Sequence, residues 1–367
     1  MEDSRKYETA KYIVSAAGFV LNTILLIYLL VSSWSFKIRD FAEQIAPASL
    51  PSMVVLGYFS VIGILFAVLH LPLDFISGYI LEHRFGLSRQ TRRGWASDQL
   101  KGLLLGAGLG LIAAETVYYL LRYHTDRWWI YASFLFVGFF VLIANLAPVL
   151  LLPLFFKFTP VENEELRRRI DRLANRAGIR LCGIFEWSLG EKTRKANAAV
   201  VGWGNTRRIL VSDTLLKNFP VEEIEVILAH EFCHHAKAHI WWGMGLQAVL
   251  TFASFFVMDQ TVRRVASTFQ GPWDVANFPV LALSGVVLSL LVLPGLNAFS
   301  RALEKAADRY ALDVTGDALA FVSSMEKLAD LNLANKSPNK VIEFIFYSHP
   351  SIENRIKLAA DRVGQGV

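Results

Sequence analysis

Residues 221–258 read VEEIEVILAHEFCHHAKAHIWWGMGLQAVLTFASFFVM. This stretch contains both a polar segment and an apolar segment, and together they indicate the fold. Its first half begins after Pro220 with several glutamates, which suit the positive end of a helix dipole. Its second half, residues 240–258, is apolar and close to the length of about 20 residues that a helix needs to cross a bilayer. The stretch therefore predicts a polar helix that merges into a membrane-spanning helix.

Within the predicted polar helix, the segment His230-Glu231-Phe232-Cys233-His234 has the spacing of a zinc site. Two histidines four residues apart project from one face of a helix and can bind one Zn²⁺, and Glu231 beside them suits a general base. A catalytic zinc takes a third protein ligand. His239 does not fit the extended spacing, which requires Gly and His where Lys237 and Ile240 stand. A distant glutamate is the better candidate.

The whole sequence has the composition of a membrane protein. Of its 367 residues, 54% are hydrophobic and only 19% are charged, which is too apolar for an ordinary soluble domain. The first apolar run is longer than that of a signal peptide and no small-residue cleavage site follows it, so we expect a retained helix. The six runs long enough to span a bilayer are residues 12–31, 53–71, 102–121, 128–156, 240–258 and 278–299.

The positive charges predict how these spans are oriented. The short segments before the first span and between the second and third hold three and five Lys or Arg, whereas the short segments on the opposite side hold two each. Because Lys and Arg are enriched on the cytoplasmic side of membrane proteins, the N terminus is expected there. By the same alternation, both large polar regions face the cytoplasm.

The spans divide the chain into four predicted parts. The polar insertion reads as a small α+β domain, with a helix at 162–177, strands at 183–187 and 208–212, and then the zinc-site helix. The four parts are four membrane helices with a basic loop at 74–101 (1–156), the insertion (157–239), two membrane helices (240–299) and a C-terminal helical part (300–367).

Cys182 and Cys233 are far apart in sequence and are expected to be buried thiols.

Glu304 is the glutamate that the topology favours as third ligand. It follows the sixth span by five residues, and the alternation of spans places it on the same side of the membrane as His230. The fifth span leaves this face directly after the two histidines and the sixth returns to it directly before Glu304, so antiparallel helices can bring them together. Asp308, one turn further, can accept a ring N–H from a ligating histidine and fix its orientation.

Several further segments are distinctive in combination with the zinc motif. They are Leu-Glu-His-Arg-Phe-Gly-Leu-Ser-Arg-Gln-Thr within 81–101, Asn197-Ala198, Ser-Asp-Thr-Leu-Leu at 212–216, 230–239, 297–308, and Tyr-Ser-His-Pro at 347–350 with Arg355. Together they resemble a known family, the integral membrane zinc endopeptidases that include the CAAX prenyl proteases, with the heat-shock-type membrane endopeptidases as more distant relatives. The combination is far more specific than the zinc motif alone.

For the metal centre, the resemblance implies that one Zn²⁺ per chain is bound by His230, His234 and Glu304. It implies further that Glu231 activates the attacking water and that Asp308 supports the ligands. The implied fold is mainly α: a polytopic helical membrane protein with about six transmembrane helices and a zincin-like α+β catalytic domain on the cytoplasmic side.

For the substrate, the resemblance implies that Asn197 and Ala198 belong to an edge strand that holds the peptide backbone by strand addition. His349 and Arg355 match the residues that contact the substrate and stabilise the oxyanion, a role that suits hydrogen-bond donors. The family's membrane helices enclose a water-filled chamber, so Glu115 and Asn145 are expected to face water or to pair inside the bundle, since a carboxylate facing lipid is costly.

The chain also departs from the eukaryotic prenyl proteases, because it is shorter and shows six spans where they have seven. A compact member of this kind is expected in the inner (plasma) membrane of a prokaryote. Its expected partners are the lipid bilayer and a peptide or membrane-protein substrate, either of CAAX type or misfolded, and no nucleic acid.

Two other functions fit the sequence less well. An intramembrane-cleaving metalloprotease would carry a later Asp-Gly segment, which this sequence does not contain, and its zinc motif would lie inside a span rather than behind charged residues. A non-enzymatic membrane scaffold or transporter that retains a zinc site would not need a base. The presence of Glu231, His349 and Arg355 beside the ligand set favours an enzyme.

Overall fold

The fold is that of a helical membrane protein, seen here in a computed structural model that describes residues 2–47, 50–202 and 204–364. Six helices in these ranges are long and apolar enough to cross a membrane, which confirms the predicted number of spans. The helices are α1 (Glu2–Val31), α2 (Trp34–Ile45), α3 (Pro51–Phe75), α4 (Glu82–Arg84), α5 (Arg92–Tyr123), α6 (Trp128–Leu146), α7 (Glu164–Ala177), α8 (Asp213–Asn218), α9 (Val221–Ala236), α10 (His239–Val265), α11 (Phe278–Thr315), α12 (Ala318–Leu331), α13 (Lys340–Phe346) and α14 (Ile352–Gly364).

The six spanning helices are α1, α3, α5, α6, α10 and α11. At the ends of the helices remote from the polar domain, buried side chains join them through hydrogen bonds: Trp128 Nε1 donates to Asp259 at 2.7 Å, and the Tyr118 hydroxyl donates to Asn277 at 2.8 Å. Helix α2 was not predicted. With 12 residues it is too short to cross a bilayer, which takes about 20 residues.

The small polar domain contains a four-stranded mixed sheet. Its strands are β1 (Phe158–Pro160), β2 (Gly183–Trp187), β3 (Ala198–Val201) and β4 (Arg208–Ser212). They lie in the order β1-β2-β4-β3, with β2 and β4 parallel and the other pairs antiparallel, so β3 is an edge strand. β2 and β4 have the predicted bounds, whereas β1 and β3, only three and four residues long, were not predicted from periodicity.

Helix α9 does not merge into the fifth span, so that prediction is wrong. It ends at Ala236, and α10 starts at His239 after Ala238, whose φ of 57° lies in the left-handed region. A residue in this conformation cannot continue a right-handed helix, so the chain changes direction. The break allows α9 to bury Ile227 and Phe232 in the core of the polar domain while α10 crosses the membrane.

Helix α11, in contrast, runs without interruption from the sixth span into the polar domain. The predicted division between residues 299 and 300 falls inside it. Its C-terminal half packs along α9, and Ala311 and Leu312 join the domain core together with residues of α7, the sheet, α12 and α14. One continuous helix therefore links the membrane bundle to the face of α9 that carries the two histidines.

The chain just before β3 is tied to the membrane helices through Glu82. This buried carboxylate accepts hydrogen bonds from the Tyr7 hydroxyl of α1 and from Lys195, and it pairs with Lys11 at 3.0 Å. The edge strand is thereby held in a fixed position beside the N-terminal part of α1. The cysteines form no disulfide; Cys233 is buried as expected, but Cys182 is exposed, contrary to the expectation.

Candidate active site

The predicted ligands come together where α9 faces α11. His230 and His234 lie one turn apart on α9, and Glu304 lies on α11. One ring nitrogen of each histidine and one carboxylate oxygen of Glu304 all lie within 4.8 Å of one another. Nε2 of His230 is 3.1 Å from Oε2 of Glu304, and Nε2 of His234 is 3.5 Å from Oε1. His239 stands outside this group, with its Nδ1 3.3 Å from the opposite ring nitrogen of His234.

The arrangement of these three side chains fits a bound cation. Oε2 of Glu304 is buried and makes no hydrogen bond, although it lies close to His230 Nε2. The Nε2 atoms of His230 and His234 are only 3.3 Å apart. Side chains approach one another closely in this way when their lone pairs converge on one ion, and two imidazoles with one carboxylate form a common ligand set for catalytic zinc.

The charges around the histidines also favour a cation. Burial opposes protonation of His230, but the carboxylates of Asp308 and Glu304 outweigh it and raise the pKa of His230 to about 9. Burial, followed by the neighbouring His230, lowers the pKa of His234 to about 4. His234 is therefore a neutral lone-pair donor, and the negative groups that stabilise a proton on His230 stabilise a metal ion in the same way.

Asp308 fixes the orientation of His230. The ring donates from Nδ1 to Oδ1 of Asp308 at 2.9 Å, which turns Nε2 towards Glu304, where it can bind a metal ion in place of a proton. Asp308 is fully buried and accepts two further hydrogen bonds from Arg355 of α14, at 2.8 Å from Nε and 2.5 Å from Nη2. Helix α14 thus fixes the position of the Asp308 carboxylate, which in turn orients His230.

Replacing Asp308 with Asn is expected to weaken zinc binding about 10- to 100-fold, the usual effect of losing a group that orients a ligand. The amide carries no charge to offset Arg355, so the thermal transition should also fall. Competition with a zinc chelator measures the affinity.

The matched control for this prediction is Asp313→Asn, which removes an ion pair between the same two helices, from Asp313 to Arg362, at an exposed position. Exposed pairs contribute about 0–1 kcal/mol, so this variant should keep both its affinity and its transition. Equal zinc affinity in Asp308→Asn and wild type would contradict the assigned role of Asp308.

Glu231 and the predicted substrate residues line one cleft of about 620 Å³. Burial raises the pKa of the Glu231 carboxyl, which brings a carboxylate closer to the range of an effective base. His349 places its Nε2 3.4 Å from Oε2 of Glu304. The structure therefore brings every sequence-predicted site residue to this cleft or to the histidines beside it; the residues that line the cleft are Asn197, Ala198, His230, Glu231, His349 and Arg355.

The two polar residues predicted inside the spans differ in their surroundings. Asn145 lies in the wall of a second, smaller cavity of about 180 Å³ next to His235 and Trp241, and its amide donates to the carbonyl of Val141 at 2.9 Å. Oε1 of Glu115 is buried without a hydrogen bond. Neither residue lines the cleft that contains Glu231.

Some residues of the cleft were not predicted. Asn332 follows α12 and contacts the backbone before β3, and Glu8 of α1 accepts a hydrogen bond from Tyr347. These contacts join residues that are more than a hundred positions apart, and no spacing in the sequence indicates them. His235, which was not predicted either, lies outside this cleft, in the wall of the smaller cavity.

Two family models match the chain. The family model of peptidase family M48 matches residues 160–363, and the model described as CAAX prenyl protease N-terminal, five membrane helices, matches residues 1–157. Of the five long or medium helices described in that N-terminal region, α1, α2, α3, α5 and α6, four reach spanning length.

Individual relatives cover nearly the whole chain. The uncharacterized metalloprotease YhfN of Bacillus subtilis is 33% identical over 97% of this chain and 84% of its own length. CAAX prenyl protease 1 of Saccharomyces cerevisiae is 28% identical over 96% of this chain and 84% of its own. The crystal structure of Ste24p from S. mikatae has the same fold, with a TM-score of 0.85 at 24% identity over 97% of this chain and 88% of that one.

Both halves of the chain are thus matched by models of one kind of enzyme, and a relative above 30% identity extends over nearly its full length. The spanning helices and the group of two histidines and a glutamate agree with that assignment. This protein belongs to peptidase family M48 and is a multi-pass membrane metalloprotease of the CAAX prenyl protease family.

Proposed function

We propose that the protein is a zinc endopeptidase that binds one Zn²⁺ per chain through His230, His234 and Glu304. The observation that carries this proposal is the convergence of these three side chains, with one ligand atom of each within 4.8 Å of the others and with Oε2 of Glu304 buried without a hydrogen bond. Zinc, when bound, lowers the pKa of a water molecule and polarises the substrate carbonyl.

Glu231 supplies the proton transfers in this proposal. It follows the first ligand directly, lines the cleft, and has a carboxyl pKa raised by burial. As general base it accepts a proton from the water that attacks the peptide carbonyl, and as general acid it returns this proton to the leaving amine. The carboxylate is thereby regenerated at the end of each cycle.

His349 and Arg355 are proposed to stabilise the oxyanion that forms on the carbonyl. His349 is close to Glu304 at the mouth of the cleft, with a side chain that is 57% exposed and so accessible to a substrate. Arg355 uses Nε and Nη2 to bind Asp308, which leaves its other amino group to donate to the oxyanion. Its positive charge stays in place whether or not substrate is bound.

The peptide is proposed to add as a strand to the open edge of β3. The first residue of this strand, Ala198, lines the same cleft as Glu231. The distribution of Lys and Arg supports a cytoplasmic position of this cleft, in the inner membrane of a prokaryotic cell. The named relatives include CAAX prenyl protease 1, which supports C-terminal CAAX-type peptides as one substrate class and leaves unfolded membrane proteins as the other.

One experiment tests the function and compares these substrates. Detergent-purified protein is incubated with an unfolded protein and, in parallel, with a farnesylated CAAX peptide, and the products are identified by mass spectrometry. We expect cleavage of at least one substrate. Preference for the farnesylated peptide would assign CAAX processing, preference for the unfolded protein would assign quality control, and zinc binding without any cleavage would favour the scaffold.

A further inference from the structure

The open edge of β3 offers its backbone groups in an alternating pattern. The carbonyl of Asn197 accepts from the Ser212 amide of β4 at 2.9 Å, so the peptide groups of Asn197 face into the sheet. Because these groups alternate along a strand, those of Ala196, Ala198 and Val200 face away from β4. They are the groups with which an added substrate strand would form hydrogen bonds.

Side chains of the protein already occupy two of these three positions. The amide of Asn332 accepts from the backbone N–H of Ala196 at 3.0 Å and donates to its carbonyl at 3.2 Å. His235 donates from Nε2 to the carbonyl of Val200 at 3.1 Å. Along 196–201, which the structure describes in full, Ala198 is therefore the outward residue at which a substrate can form both backbone hydrogen bonds without displacing a side chain.

Asn332 imitates a strand residue in this contact. A side-chain amide carries the same donor and acceptor as a peptide group, and Asn332 uses both on one residue, as a directly opposite residue does in an antiparallel pair. The next residue, Leu333, has a φ of 49°, in the left-handed region that a branched side chain seldom adopts. The chain therefore leaves the helical path directly after Asn332.

We propose that Asn332 is a positioning residue that ends the backbone pairing of the substrate at Ala198. The inference rests on the proposed endopeptidase function and specifies how that site holds its substrate. For a strand antiparallel to β3, the residues that approach Ala196 lie C-terminal to the residue paired with Ala198. The C-terminal part of the substrate must therefore leave the sheet edge and enter the cleft over Leu328 and Ala329.

An N-methyl scan of the substrate tests this directly. A synthetic peptide with one mapped cleavage site is prepared in a series of versions, each with one backbone amide on the C-terminal side of that site methylated. For each version, kcat/KM is measured with wild-type protein in detergent. We expect one sensitive amide, at which kcat/KM falls at least about fivefold, the effect of one net hydrogen bond. A second sensitive amide two residues further towards the C terminus would overturn the proposal without any mutation of the protein.

Asn332→Ala should add the second sensitive position, because it frees both groups of Ala196 for the substrate. A purely structural role of Asn332 would lower kcat/KM for all peptides alike and create no new position. The matched control is Asn335→Ala, since Asn335 lines the same cleft but its amide donates to Glu8 at 2.8 Å and not to the strand. This control should keep the wild-type scan.

The outcomes separate this inference from the function on which it rests. Cleavage of the unmodified peptide by wild type, and its loss in Glu231→Gln, supports the endopeptidase whatever the scan shows. If cleavage occurs but Asn332→Ala gives the wild-type scan, the role of Asn332 is refuted alone. If wild-type protein cleaves no peptide, both proposals fail.

Discussion

Glu231→Gln is expected to lower kcat about 10²- to 10⁴-fold, the range in which a general base contributes to catalysis. Glutamine has nearly the same shape as glutamate but cannot accept a proton, whereas His230, His234 and Glu304 keep their positions. Zinc content and the thermal transition should therefore stay at wild-type values. The measurement is the initial rate of substrate cleavage, with bound zinc determined on the same sample.

Glu222→Gln provides the matched control for this variant. Glu222 lies in the first turn of the same helix, α9, where it pairs with Arg169 at 2.7 Å and is 46% exposed. The same chemical change there should leave the rate unchanged. Retention of more than about a tenth of wild-type activity by Glu231→Gln would show that this carboxylate is not the base, since base catalysis contributes at least about 10²-fold.

Glu304→Gln is expected to abolish both zinc binding and cleavage. A neutral amide is a poor ligand for zinc in place of a carboxylate, and loss of a direct ligand should exceed the about 10- to 100-fold effect of a supporting residue. It also removes the buried negative charge that faces both histidines. Zinc per chain, measured by atomic absorption after dialysis, should fall from near one to near zero.

For comparison, Glu326→Gln makes the same change on the exposed face of α12 and should retain full zinc content and activity. Added zinc should restore part of the activity of Glu304→Gln only at concentrations far above those that saturate wild type. A dialysed Glu304→Gln protein with a full complement of zinc would remove Glu304 from the ligand set.

Much of the architecture follows from local signals in the sequence. Apolar runs of spanning length predict the six membrane helices, and the spacing of His230 and His234 predicts a shared helix face. The topology favours Glu304 as the third ligand, because antiparallel spans can bring the segments at their ends together, and the family resemblance implies the same residue. These predictions depend on length, periodicity and alternation, which are properties of short stretches of chain.

Other features depend on contacts that no short stretch encodes. Asn332 follows the end of α12 and contacts Ala196, 136 positions earlier, and nothing near either residue indicates the pairing. The break between α9 and α10 occurs at Ala238, a residue with high helix propensity, so the packing of α9 into the polar domain overrides the local preference.

The roles of His349 and Arg355 could be expected only from the resemblance to a family. Taken alone, a histidine and an arginine near the C terminus would be read as surface residues. In the structure, Arg355 binds the buried Asp308 and His349 approaches Glu304. The segment after α13 and the first turn of α14 thus bring two residues to a site whose other residues lie earlier in the chain.

The most direct test of the central claim, zinc-dependent peptide hydrolysis at this site, is a removal and restoration experiment. Detergent-purified wild-type protein is stripped with a chelator, its zinc content is measured, and cleavage of an unfolded protein and a farnesylated CAAX peptide is followed as zinc is added back. We predict no cleavage by the stripped protein and full recovery at one zinc per chain, with no recovery in Glu231→Gln. Undiminished cleavage by protein shown to contain no metal would contradict the account.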